Sequence, residues 1–393
     1  MATFFETNRR SLTRAAYAAL AILVLLWLGP IILEQRPARL IGSTVTGLLV
    51  GGVYSLIALG IVVINKASGV FNFAHGWMML LGGLLFYSFF ASGSVSPLAA
   101  GVLSALTVVM VITTAGWGAL RQPRTLALGA AAGIILTLLL AAGGPEWQFI
   151  RAIAGAVTGS VLVGLVVERF TIRPLIGQPL FAMVLMTLAV SRALNGVTQL
   201  VWGSVEIPLQ VFNWVGSLGL PMPIRFDARD TLGGIILIRT ELLVAFVLAL
   251  AAFVAFVLFF QFTNVGLAMR AAAEDQRLAQ SVGLRVRIVL AVAWAIAALL
   301  ATAAGVLQGG ATSLSLNMPL LALLAFPAVL LGGLESITGA LVGGLVIGLV
   351  QEWANLLFPG TQAGTELAPY VVLMAVLVIR PDGLFGQKRI ERI

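Results

Sequence analysis

Residues 264–285 read NVGLAMRAAAEDQRLAQSVGLR. Arg270, Glu274, Asp275, Arg277 and Arg285 stand here between two long apolar runs. Such a charged face cannot sit in hydrocarbon, where a central Arg or Asp costs about 2.5–3.5 kcal/mol on the insertion scale. It must protrude into water or dock on another protein. The Ala-, Arg-, Glu- and Gln-rich composition predicts one short helix over 270–282, with Gly283 placed to stop it. Ala271, Leu278 and Val282 give that helix a partly apolar stripe.

What surrounds the segment makes the chain a membrane protein. Of 393 residues, 60% are hydrophobic and 10% charged, against about 25% charged in a soluble globule. Apolar stretches of near-spanning length fall at 15–33, 41–64, 76–92, 97–118, 125–143, 149–167, 180–201, 242–262, 289–310, 318–333, 338–357 and 366–380. They predict an all-α polytopic bundle of about 10–12 segments, in a single domain over 1–393. Residues 318–333 are short and hold Pro319 and Pro327, so a re-entrant half-helix is the alternative there. Residues 15–33 read as an uncleaved span rather than a signal peptide: the apolar run is long and no small-residue cleavage site precedes Glu34. GxxxG pairs at Gly47/Gly51, Gly155/Gly159, Gly339/Gly343 and Gly344/Gly348 suit close helix packing.

Charge orients the chain. With the N-terminus in the cytoplasm and twelve alternations, six of the 23 basic residues fall outside: Arg36, Arg39, Arg151, Arg225, Arg229 and Arg239. Arg192 lies within a span and the other sixteen fall inside, as the positive-inside rule asks. Both termini and the 264–285 segment are then cytoplasmic. The net charge of +8 fits this orientation and anionic lipid rather than nucleic acid. The loop over about 203–241 is long enough to cap a site or receive a partner.

Composition also excludes chemistry. Without cysteine there is no disulfide or thiol catalysis, and the single histidine, His75, makes a histidine-built metal site improbable. No catalytic constellation emerges, so no enzyme activity and no cofactor are expected. The Walker pattern G-x-x-x-x-G-K-[ST] is absent, so any ATPase would be a separate subunit.

Two polar clusters interrupt the spans. Residues 66–76 read KASGVFNFAHG. Two glycines, Ser68, Asn72 and His75 in so short a stretch read either as a tight cytoplasmic turn or as a broken helix facing a pathway. His75 is either a structural histidine or a gate. In span 180–201, Arg192, Asn195 and Gln199 share one helix face that lipid would not tolerate. Arg192 reads either as a partner for a substrate carboxylate or as a buried arginine paired with Glu335 or Glu352. Asn72, His75, Arg192, Asn195 and Gln199 are therefore the candidate pathway residues.

Four stretches carry a resemblance to the permease subunits of bacterial ABC importers for branched-chain amino acids. They are 46–76 with its NFAHG turn, 167–188 with ERFTIRPL, 264–287 with AED followed by a helix and Gly-Leu, and 327–348 together with 380–386, RPDGLFG. The resemblance covers most of 41–386. It implies an ATP-driven importer permease in the bacterial cytoplasmic membrane. Its partners would be two ATP-binding subunits, a second permease identical or different, an extracytoplasmic substrate-binding protein and membrane lipid. Arg270, Ala273, Glu274, Asp275 and Gly283 would form the loop that couples to the ATPase. Residues 97–143 look like a hairpin added to the family pattern, and Arg192 stands where an apolar residue is expected. Urea or short-amide import by the same architecture, ion-coupled secondary transport and a membrane-embedded enzyme are the competing readings.

Overall fold

The structure, a computed structural model, describes residues 33–91, 97–115, 122–141, 145–175, 178–204, 206–213, 221–274 and 276–386. The stretch predicted as a first span, 15–33, lies almost wholly outside them. The other eleven apolar stretches are all helical: α1 (Pro37–Ser68), α2 (His75–Phe90), α3 (Pro97–Ala115), α4 (Pro123–Ala141), α5 (Gln148–Val167), α6 (Leu180–Trp202), α7 (Thr240–Phe262), α10 (Val286–Ala311), α11 (Met318–Gly332), α12 (Ile337–Leu357) and α13 (Gln362–Ile379). The two short helices α8 (Asn264–Glu274) and α9 (Gln276–Ser281) fill the charged interruption. Among the described residues seven helices are long and apolar enough to cross a membrane, and four shorter apolar helices accompany them.

Helix α1 is the axis of the bundle. Its 32 residues make a rod of about 48 Å, and Val53, Leu56, Ile57, Leu59, Ile61 and Ile64 are fully buried. Glycines let α12 lie directly on it. A Cβ added at Gly51 would lie 2.8 Å from Leu345 Cα, and one at Gly47 would lie 2.9 Å from Leu349 Cα. Polar bonds tie the same seam. Tyr54 OH donates to Gln351 Oε1 at 2.6 Å, Ser55 Oγ to the Leu341 carbonyl at 2.9 Å, and Trp353 Nε1 to Thr44 Oγ1 at 3.0 Å. Helices α7, α10 and α11 pack around this pair. Helices α3 and α4 form a hairpin at the margin, touching the rest mainly where α3 meets α5.

One feature is not helical. The connection between α6 and α7 holds an antiparallel hairpin, β1 (Ile224–Ala228) with β2 (Gly234–Ile238). A helical turn at Arg229–Leu232 joins the strands, closed by Gly233. Ile207 pairs with Leu314 and fastens the loop to the strand-like approach to α11.

A second surprise sits after α5. The helix continues through a π turn at Glu168–Ile172. A π turn brings i and i+5 together. Glu168 is buried at 1% exposure and accepts from Arg173 Nε at 3.0 Å and Nη2 at 2.8 Å. The ERFTIRPL motif thus encodes a forked ion pair.

Candidate functional site

Two of the sequence clusters meet at one cavity of about 500 Å³. Helix α1 ends at Gly69, whose φ of 70° is the left-handed stop and whose N–H bonds the Asn65 carbonyl at 2.7 Å. The chain then runs irregularly to His75, where α2 begins. That backbone is satisfied by side chains. Thr187 of α6 donates to the Phe71 carbonyl at 3.1 Å and accepts from the Phe73 N–H at 3.3 Å. Asn72 Oδ1 accepts from the Ala74 N–H at 3.0 Å. Irregular backbone at membrane depth needs this kind of support. At about 1.5 Å per residue, α2 reaches about 24 Å and α11 about 22 Å, short of the ~30 Å hydrocarbon core. Both are shorter than a full span.

The two pieces start side by side. A Cβ on Gly76 would lie 2.8 Å from Pro319 Cα, so only glycine admits the contact. Asn72 and Phe73 from the linker, Arg192 and Ser191 from α6, and the first turns of α2 and α11 line the cavity. Phe73 stacks on Phe326 with centroids 5.1 Å apart, closing one wall. Leu188, Leu316, Leu320 and Leu323 make the rest of it aliphatic.

Arg192 is exposed and makes no ion pair among the described residues. The alternative of a buried arginine paired with Glu335 or Glu352 is therefore not what the structure adopts. Two helix N-termini, each carrying about half a positive charge, open on the same space. The cavity is thus electropositive and aliphatic at once.

The other pathway candidates lie elsewhere. His75 is buried with its imidazole against Gly60 of α1, and neither ring nitrogen has a partner among the described residues. It does not line the cavity. Asn195 and Gln199 bond each other on the open face of α6. Thr187 holds the linker backbone, a task that no sequence pattern announces.

The charged interruption is helical over Asn264–Glu274 and Gln276–Ser281, so helix begins six residues before the expected start at 270. Thr263 caps α8 by accepting from the Gly266 N–H at 3.0 Å. Gly266, Met269 and Ala272 are buried against the bundle. Arg270 is half-buried. Its guanidinium donates to the carbonyls of Phe260 and Gln261 at the end of α7 and stacks on the Phe260 ring, 5.4 Å from its centroid. Ala273 is half-buried and Glu274 exposed; Asp275 lies outside the described residues. Gly283, with φ of 88°, closes α9. Its N–H bonds the Gln280 carbonyl and the Leu284 N–H bonds the Ala279 carbonyl, both at 3.0 Å, the paired bonds of a Schellman stop. Leu267, Leu278 and Val282 are left facing outward at 58–73% exposure.

The family described as "Branched-chain amino acid transport system / permease component" matches residues 102–379. The high-affinity branched-chain amino acid transport system permease protein LivH of Escherichia coli (strain K12) is 26% identical over 351 residues, 88% of this chain and 96% of that protein. BraD of Pseudomonas aeruginosa, a permease protein of the same description, is 26% identical over 352 residues, 89% of this chain and 96% of its own length. A probable branched-chain amino acid transport permease protein of Methanocaldococcus jannaschii is 30% identical over 140 residues, 33% of this chain and 44% of that protein. No solved structure matches the chain.

Proposed function

The chain belongs to the family of branched-chain amino acid transport permease components, and from that premise we propose that it is the membrane-spanning subunit of an ATP-driven importer for branched-chain or closely related amino acids in a bacterial cytoplasmic membrane. One observation carries the reading. The α8–α9 segment is fixed to α7 through Arg270 while Glu274, Leu278 and Val282 face outward. A handle clamped at one face and bare at the other transmits a push from a bound partner to the spans. Separate ATP-binding subunits grip it. A second permease subunit completes the pathway, and an extracytoplasmic binding protein delivers substrate to the β1–β2 hairpin, where Phe226 and Leu237 stand exposed. The chain moves substrate and makes or breaks no bond.

The substrate class follows from the cavity. Arg192 and the two helix N-termini suit a carboxylate, and the leucine and phenylalanine walls suit an aliphatic side chain. Urea and neutral short amides have no charge to meet Arg192, which weighs against them. Replacing Arg192 with Leu is expected to lower uptake of leucine by roughly tenfold to a hundredfold, the size of a lost charge-assisted bond. Uptake assays in whole cells check this; undiminished leucine uptake would remove Arg192 from the pathway.

The deciding experiment is affinity purification from native membranes in mild detergent, with mass spectrometry of the partners. The expected result is an ATPase bearing Walker motifs, absent when residues 264–281 are replaced by a flexible linker. A chain recovered alone, and active in ATP-free vesicles under an ion gradient, overturns the importer reading in favour of a secondary transporter.

A further inference from the structure

A second and larger recess, of about 1070 Å³, lies between α5 and α10 at the end of the bundle that carries α9. Its two halves differ in chemistry. The wall along the helices is apolar, with Leu165 from α5 and Ile288, Ala291 and Ala295 from α10. The mouth is cationic, with Arg169, Arg173, Arg285 and Arg287, and no carboxylate lines it.

The arginines are not equivalent. Arg173 is committed to the buried Glu168 and adds little net charge. Arg285 and Arg287 are exposed, and neither side chain makes a hydrogen bond or ion pair among the described residues. They flank the start of the 26-residue α10, whose first turn holds no acidic residue, so the helix dipole adds to their field. From Arg285 to Ala295 the groove descends about 15 Å along the helix. A soluble anion would use the mouth and leave that wall bare. A phospholipid supplies both parts, a phosphate for the mouth and an acyl chain for the wall.

We infer that this groove binds an anionic phospholipid, with the headgroup phosphate on Arg285 and Arg287 and one acyl chain along Leu165, Ala291 and Ala295. Gln280 of α9 also lines the recess, so the lipid touches the segment that ends in the Gly283 stop. A bound lipid then braces the junction between α9 and α10. That last consequence rests on the importer reading; the binding does not.

The test uses the full chain reconstituted in phosphatidylcholine vesicles containing a minor fraction of phosphatidylglycerol, then released for native mass spectrometry. Selective retention of phosphatidylglycerol is expected. The R285A/R287A chain should bind it about thirtyfold more weakly, at about 1 kcal/mol per arginine near the surface. A291W leaves the arginines and fills the apolar arm, and should also lose the lipid. R285K/R287K keeps the charge and should retain it, which separates binding from misfolding. Equal retention of phosphatidylcholine and phosphatidylglycerol by the unaltered chain overturns the proposal whatever the variants do. So does displacement of the lipid by inorganic phosphate, or retention by A291W, either of which marks a site for a soluble anion. Loss of the ATPase without loss of lipid in R285A/R287A assigns the mouth to a protein partner and overturns it too.

Discussion

Glu168 and Arg173 stand five residues apart, a spacing at which side chains do not meet on an α-helix. The π turn makes them neighbours and buries the carboxylate. Removing one partner of a buried pair leaves the other charged and unsatisfied, at a cost of about 3–5 kcal/mol. The R173A chain is therefore expected to unfold in detergent at a much lower temperature, followed through tryptophan fluorescence, and E168Q/R173Q to regain most of the loss. An R173A chain as stable as the parent would mean that the pair is incidental. The motif was plain in the sequence, but composition does not announce a π turn, so its meaning was hidden. His75 was hidden for a related reason. Its neighbours in sequence line the cavity, yet the irregular turn that leads into α2 carries its ring away onto Gly60. Asn72 and Arg192 were both marked as polar residues in apolar surroundings. Only the fold could place them at one cavity.

At the scale of elements, glycine spacing was the most readable signal and proved to be paired. Gly47 and Gly51 of α1 face Gly344 and Gly348 of α12; Gly339 and Gly343 face α11; Gly155 and Gly159 face Phe89 and Leu85 of α2. G51A is expected to destabilise the bundle by about 1–3 kcal/mol, because backbone on both sides must move to admit the methyl. G42A on the same helix, with open space around it, serves as the neutral control. Equal thermal stability of the two variants would break the link between glycine and helix contact. The charged segment was legible as a helix that leaves the apolar spans, but its early start at Asn264, on the Thr263 cap, was not. Nor was its anchorage legible: Arg270 belongs to a charged face expected in water or on a partner protein, and its guanidinium clamps α8 to α7. If α8 and α9 transmit ATP hydrolysis, R270A should keep its ATPase partner while the substrate imported per ATP hydrolysed falls severalfold. Reconstituted vesicles with both quantities measured provide the check. Loss of the ATPase altogether would make Arg270 a docking residue, and unchanged coupling would make it ornamental.

At the scale of the whole molecule, burial among the described residues is uneven. The apolar window of α1 is 89% buried and that of α6 is 11% buried. Open apolar faces on α4 and α7 can rest in lipid at little cost, because their charges, Arg124 and Glu241, stand only in the first turn. Helix α6 cannot, since Arg192, Asn195 and Gln199 occupy its open side and each polar group turned to hydrocarbon is costly. Among the described residues nothing covers that face, which leaves it to water, to another subunit or to the rest of the chain, and the cavity at Arg192 lies along it. A pathway formed between two permease subunits meets both needs. The chain has no cysteine, so single replacements report without background. Leu200, 88% exposed and next to Gln199 in sequence, is the natural position. L200C is expected to cross-link to the partner permease in native membranes, and L139C on α4, 68% exposed, is expected not to. If L139C cross-links and L200C does not, the subunits meet at the marginal α3–α4 hairpin instead. The polar face of α6 would then have to be satisfied within a single chain, and the cavity at Arg192 would be a closed pocket rather than one wall of a shared path.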